Sequence, residues 1–381
     1  MNYILFLRAL LKGNKTFFDV PSSEQKSFLE TLPVPVDDID RSYLQFRCQA
    51  FFSPIWKRHL LDLISFILYI PLLVIFLLRN FFIKSKDTCD AISDLCEMKE
   101  VIPQEIHKQH EIVFVCSSHI GVLSVKDIPF LFSIYFRHFP SCYFAMKNMV
   151  KIAQYNQLIR MYSPRCIIAH HEYSFSSSIL TLYCNMKNIQ HINVMHGEKL
   201  YNIVDAFFHF NECYVWSHHY EQLFIDLKAE KTQFKISMPP SMRIDTSAHI
   251  NDAVYADYKY FIASVTEEQV KSIVESMMFA VNAGKRVKYR LHPRINNLNL
   301  LLQYIAPDDI EDPQKVSITD SISNCSVAVG SYSTVLNQAY CSGRSVLLDD
   351  ITFKDQYERL ADLRYWLIGE GCPRLSEMQK K

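Results

Sequence analysis

An α/β fold of two doubly wound domains is predicted, with one apolar segment in the N-terminal half. Three observations predict it. Short strand-like runs alternate with helical stretches across residues 111–350, the pattern of parallel sheets covered by helices. A proline pair, Pro239-Pro240, separates two such series. One charge-free run, LISFILYIPLLVIFLL at residues 63–78, interrupts the soluble pattern.

Composition bounds what such a chain can be. It has 381 residues, of which 49% are hydrophobic and 13% aromatic, enough apolar matter for large cores and unlike a disordered or collagen-like chain. Lysine plus arginine and aspartate plus glutamate number 40 each, so no global field draws the chain to nucleic acid. The 11 cysteines show no CxxC pair or Cys/His metal spacing; reduced, cytosolic thiols are expected. The start, MNYILFLRALLKGNK, lacks a basic n-region and a small-residue cleavage site, so no cleaved signal peptide is expected.

The first domain is expected over residues 1–240. PVPVDDIDR at 33–41 reads as a solvated loop. The apolar run, widened to 60–83, takes in Asp62 and Arg79, with Lys57, Arg58 and His59 before it and Lys84 and Lys86 after it. Sixteen charge-free residues make a helix of roughly 24 Å, short of the roughly 30 Å hydrocarbon core. Pro71 at its middle suggests a kink or re-entrant hairpin. Interfacial insertion, a buried core helix and a true span all fit the run. Residues 84–110 read as helix and linker.

Four strand-to-turn handovers follow. EIVFVCSSHIGVL (111–123) ends its strand at Ser117, Ser118 and His119. The strand at 166–169 ends at His170, His171 and Glu172, with serines 176–178 able to cap the next helix. The strand at 192–195 ends at His196-Gly197, and Gly197 permits a sharp turn there. CYVWSHHYEQLF (213–224) is the fourth.

The second domain is expected over residues 241–381. It reads as strand 258–264, helix 267–283, strand 286–291, a surface stretch, helix 321–325, strand 327–329 and strand 345–348. RLHPR at 290–294 closes the second of these strands, because Pro293 cannot donate to a ladder. His292 is thereby placed at the carboxyl rim, where open α/β sheets bind ligands. GSYST at 330–334 follows VAV. Gly330 allows close backbone approach, and Ser331, Ser333 and Thr334 offer hydroxyls at a helix N-terminus, an arrangement suited to phosphate. Taken alone, each element also reads as an ordinary turn or cap.

His292-Pro293 and Ser333-Thr334 together resemble motifs of GT-B glycosyltransferases that use cytidine nucleotides, bacterial sialyltransferases among them. The resemblance covers about residues 160–350. It implies two Rossmann-like domains facing a cleft, with an N-terminal membrane-associating helix or hairpin added here. It also implies a donor site formed by His292, Pro293, Arg294, Gly330, Ser331, Ser333 and Thr334. The acidic motif that supplies the base in those enzymes is absent; the matching region reads His196-Gly197-Glu198. A His-Gly pair is also similar to the CDP-glycerol glycerophosphotransferases, in which that histidine is the proposed base. Glu198 and His196 therefore both stand as catalytic candidates, with His170, His171 and Glu172 behind them.

The function expected is a metal-independent, inverting transferase of lipopolysaccharide O-antigen or capsule synthesis. It would move sialic acid from CMP-sialic acid to a lipid-linked or oligosaccharide acceptor. It would need no cofactor, bind no nucleic acid, and sit in the cytoplasm, peripherally on the inner membrane. A CDP-glycerol- or ribitol-type phosphotransferase, or another sugar transferase on the same scaffold, is the alternative enzyme, and a membrane-associated scaffold the non-catalytic one. No HxH or HExxH spacing supports a metal hydrolase.

Overall fold

The computed structural model describes residues 16–83, 88–115, 120–246, 255–293 and 298–379. Ser117, Ser118, His119, Lys84, Lys86 and Arg294 lie outside the described residues. Two compact units emerge. The first comprises residues 1–196 and 201–237, the second 197–200 and 238–381. The change of unit at 237/238 falls just ahead of the proline pair, and the short excursion at 197–200 had no sequence signal.

The first unit holds a six-stranded sheet in the order β2-β1-β3-β4-β5-β6, every pair parallel. Its strands are β1 Ala91–Ser93, β2 Ile112–Phe114, β3 Cys166–Ala169, β4 Gln190–Val194, β5 Glu212–Val215 and β6 Phe234–Ile236. β1 lies inside the stretch read as helix and linker. It has three residues, too few to show a period of two, and is held by neighbours on both sides. Because β1 pairs with β2 on one side and β3 on the other, the chain reverses direction across the sheet between β1 and β3. Ligands bind at the carboxyl ends of strands flanking such a switch.

The apolar run is one continuous helix, Ile55–Arg79, with Pro71 inside it. The hairpin reading is thereby corrected. Pro71 removes one N–H, but Tyr69, Leu73 and Phe76 are buried in a cluster with Met149 and Ile152 of helix Cys142–Tyr162. Each such side chain contributes about 1.5–3 kcal/mol on burial, comparable to the cost of an internal proline. The buried-core-helix reading is corrected too. Leu63, Phe66, Ile67, Ile70, Val74 and Leu78 are exposed, and Phe81 and Phe82 are more than 80% exposed. Among the described residues, Ile55–Phe82 is the one helical stretch long and apolar enough to cross a membrane.

The second unit holds a five-stranded parallel sheet in the order β11-β10-β7-β8-β9. Its strands are β7 Ala256–Ile262, β8 Val287–Leu291, β9 Ile310–Glu311, β10 Cys325–Gly330 and β11 Ser345–Leu348. Here the switch lies between β7 and β10. β9, two residues long, falls in the stretch read as surface. Both expected α/β units with parallel sheets are therefore present. Among the described residues nine cysteines are free thiols; Cys96 departs from the reduced-thiol expectation and is disulfide-bonded.

Candidate active site

In the first unit the switch point gathers the titratable groups. β1 ends at Ser93 and runs into Asp94; β3 ends at Ala169 and runs into His170 and His171. His170 Nδ1 lies 3.7 Å from Asp94 Oδ1, and His171 Nε2 lies 3.4 Å from Asp94 Oδ2. Burial works against the Asp94 charge, but His170 and His171 outweigh it and hold the carboxyl below its usual range. His171 is pushed down to about 4, chiefly by burial and against the pull of Asp94. Its imidazole is therefore neutral at neutral pH.

The network continues to β4. Glu172 is fully buried. Asn193 Nδ2 donates to its Oε2 at 3.1 Å, and Asn193 Oδ1 accepts from the His171 backbone N–H at 2.7 Å. Gln45 Nε2 donates to the Glu172 carbonyl at 2.7 Å. His196, just past β4, places Nδ1 4.0 Å from Glu172 Oε1, and its ring centroid lies 4.6 Å from that of His170. His196 thus shares one cluster with His170, His171 and Glu172. A buried carboxylate beside an imidazole is the arrangement that places a general base near its task. A cavity of about 270 Å³ adjoins the cluster, with Asp94, His171, Lys151 and Tyr155 among its walls.

In the second unit β10 ends at Gly330 against the other switch point. A Cβ on Gly330 would stand 3.2 Å from the Phe261 carbonyl oxygen of β7, so close packing of the two strands calls for glycine. Ser333 caps helix Thr334–Cys341, its Oγ accepting from Val335 N at 3.1 Å. An accepting hydroxyl keeps its own proton for another acceptor, so the cap and a phosphate can share Ser333. Ser331 and Tyr332 are half-buried and Thr334 is exposed.

Glu198 belongs to this second unit. Its Oε2 accepts from Asn337 Nδ2, and Asn337 Oδ1 accepts from the Tyr365 hydroxyl at 3.1 Å. Tyr332 packs edge-on to Tyr365, ring centroids 5.2 Å apart. Burial first, then the Glu198 charge, raises both phenols above their usual range. His196 and Glu198, separated only by Gly197, thus serve different units. Gly197 has nothing within 4 Å of an added Cβ, so packing does not demand a glycine there.

RLHPR is divided as well. Arg290 is buried, its Nη1 2.6 Å from Glu311 Oε1, and Lys259 Nζ lies 2.6 Å from Glu311 Oε2. Arg290 is therefore a core ion-pair residue. His292 and Pro293 are exposed at the end of β8, with His292 N donating to Ile262 O at 3.0 Å. Since β7 separates β8 from β10, that rim lies about 10 Å from the Gly330 rim at ordinary strand spacing. Sequence reasoning missed Asp94, Asn193 and Asn337. An aspartate closing the apolar triplet AIS was the one available signal, and it is weak.

Among the described residues, Asp94, His170 and His171 form a group that could hold a metal ion, with one ligand atom from each lying within 4.8 Å of the others.

No family model matches the sequence, and no curated protein matches it. Solved structures are similar at low identity. The glycotransferase of kitacinnamycin has a TM-score of 0.45 at 12% identity, covering 76% of this chain and 86% of its own. A Listeria monocytogenes protein assigned as a UDP-N-acetylglucosamine 2-epimerase scores 0.44 at 10% identity, covering 71% and 82%. The wall teichoic acid polymerase TagF scores 0.40 at 9% identity, covering 73% and 74%. All three scores lie below 0.5, so the functional reading rests on this chain's own residues.

Proposed function

We propose that this chain is a GT-B glycosyltransferase of surface-polysaccharide synthesis that takes its transferred group from a cytidine-nucleotide donor, with CMP-sialic acid the first donor to test. The observation that carries the reading is the His196–Glu172–His170 cluster at the carboxyl rim of a parallel sheet. It offers a base, and the cavity lined by the neighbouring Asp94 and His171 can receive an acceptor. The second unit brings the other requirement, a glycine turn with hydroxyls at a helix N-terminus, which suits the donor phosphate.

The step balances as follows. The acceptor hydroxyl gives its proton to His196 and its oxygen attacks the anomeric carbon. The bond from that carbon to the phosphate oxygen breaks, and the electron pair leaves with cytidine monophosphate. Ser331, Ser333, Thr334 and His292 stabilise the departing phosphate. No group in this scheme is a metal ligand, and metal independence belongs to the proposal.

One observation favours the CDP-glycerol-type alternative. The histidine has the buried carboxylate partner, whereas Glu198 is engaged by Asn337. A histidine base is what that resemblance implies. The exposed apolar face of Ile55–Arg79 supports seating at a membrane surface, where a lipid-linked acceptor would be met. The deciding experiment is a donor screen with CMP-sialic acid, CDP-glycerol and UDP-sugars, reading nucleotide release with and without acceptor. Turnover with UDP-sugars alone would overturn the cytidine reading.

A further inference from the structure

We propose that an aromatic-walled cavity at the start of helix Ile55–Arg79 binds the phosphate head of a membrane lipid through Arg47 and Arg58. The cavity has a volume of about 440 Å³, and Phe46, Phe51, Arg47, Arg58 and Asp62 are among its walls. Arg58 Nε is buried and has no hydrogen-bond partner among the described residues. Neither guanidinium has an ion-pair partner there. The one carboxylate in the wall, Asp62, is already engaged, its Oδ1 accepting from Tyr143 N at 2.8 Å. Two unpaired arginines around one pocket match a phosphate group, whose oxygens take the guanidinium fork in pairs.

The surroundings point to a lipid and not to a free anion. Ile55 lines the cavity and is 64% exposed. From it the exposed apolar face continues through Leu63, Phe66, Ile70 and Val74 to Phe81. An interfacial helix lays such a face among acyl chains and holds its polar end at headgroup level. The arginines stand at that end of the helix. The inference rests on the membrane seating proposed above and adds a specific site to it.

Two arms of one experiment keep the two ideas apart. In solution, the full chain in neutral detergent is titrated with dihexanoyl phosphatidic acid by calorimetry. One site per chain is expected, at least tenfold weaker in Arg47→Gln/Arg58→Gln. Lys57→Gln, which removes a neighbouring charge outside the cavity, should stay within twofold. Inorganic phosphate at millimolar concentration should not compete. In the second arm the chain is floated with phosphatidylcholine vesicles, and the double variant should bind these as the unaltered chain does. Absence of the solution site, its survival in the double variant, or full competition by inorganic phosphate would overturn the lipid-head assignment. Failure to bind any vesicle would overturn the membrane seating alone, because the solution titration of the unaltered chain reads the pocket without a bilayer.

Discussion

His196 and Glu198 stand two residues apart and are held by different partners. His196 sits against the buried Glu172 and the ring of His170; Glu198 accepts from Asn337, whose other amide atom accepts from Tyr365. The two make different predictions. His196→Ala should lower kcat by at least about 10²-fold, the usual loss when a general base is removed, with donor affinity little changed. Glu198→Gln keeps a carbonyl oxygen for the Asn337 amide, so its effect should fall on donor KM and leave kcat within a few fold. Steady-state kinetics at saturating acceptor separate them, and a large kcat loss in Glu198→Gln with near-normal kcat in His196→Ala would reassign the base to Glu198. His292→Ala should weaken donor binding by about 1–3 kcal/mol, as equilibrium titration of the donor would read. The rim histidines were legible because histidines recur after strand-like runs. Asp94, Asn193 and Asn337 were not, since a lone polar residue acquires meaning only from neighbours distant in sequence. Arg290 shows the converse. Its charge looked available in the sequence, and the fold spends it on Glu311.

Strands that begin in clear apolar runs were readable, and β1 and β9, which lack such runs, were not. β3 and β11 fall at the residues expected, and β8 begins one residue later than expected. β1 and β9, of three and two residues, carry no alternation, and β1 holds half of the first switch point. Glu311 of β9 is the centre of a buried cluster. Burial alone would raise its carboxyl, but Lys259, Ser321 and Arg290 outweigh it and hold it below the usual range. A depressed folded value stabilises the fold above the unfolded value, and that contribution is lost as pH falls through the folded value. Thermal unfolding should therefore show stability falling below about pH 4.5, the ordinary glutamate range. Glu311→Ala should weaken this dependence, leaving the share of other depressed carboxylates such as Asp94, and cost about 3–5 kcal/mol by leaving two buried cations unpaired. A variant as stable as the parent at pH 7 would refute the cluster's role. At the other switch point, Gly330→Ala presses a Cβ on the Phe261 carbonyl. That carbonyl belongs to a central strand and cannot retreat easily. A loss of about 1–3 kcal/mol is expected, measurable by denaturant titration, together with weaker donor binding because the turn must shift.

For the molecule as a whole, composition announced a large α/β core but not how the apolar helix would be used. Its hydropathy is the same whether buried, spanning or lying on a surface. What separates these is which residues find protein neighbours, and that depends on helix Cys142–Tyr162, about 80 residues further along the chain. Tyr69, Leu73 and Phe76 find them; Leu63, Phe66, Ile70 and Val74 do not. The two sets should respond oppositely to substitution. Phe76→Ala removes a core side chain and should cost about 3–5 kcal/mol, with membrane partition unchanged in whatever fraction stays folded. Leu63→Gln/Phe66→Gln/Ile70→Gln/Val74→Gln touches no core contact, so each change should alter stability by no more than about 0.5 kcal/mol. It removes apolar surface worth about 25 cal/mol per Å² on insertion, and the chain should move from the membrane pellet to the supernatant on fractionation without detergent. Melting temperature and fractionation, measured on the same two variants, therefore test one claim from both sides. If the glutamine variant unfolds like Phe76→Ala, this face is covered by protein in the folded chain. If it stays folded and still sediments with membranes, attachment lies elsewhere.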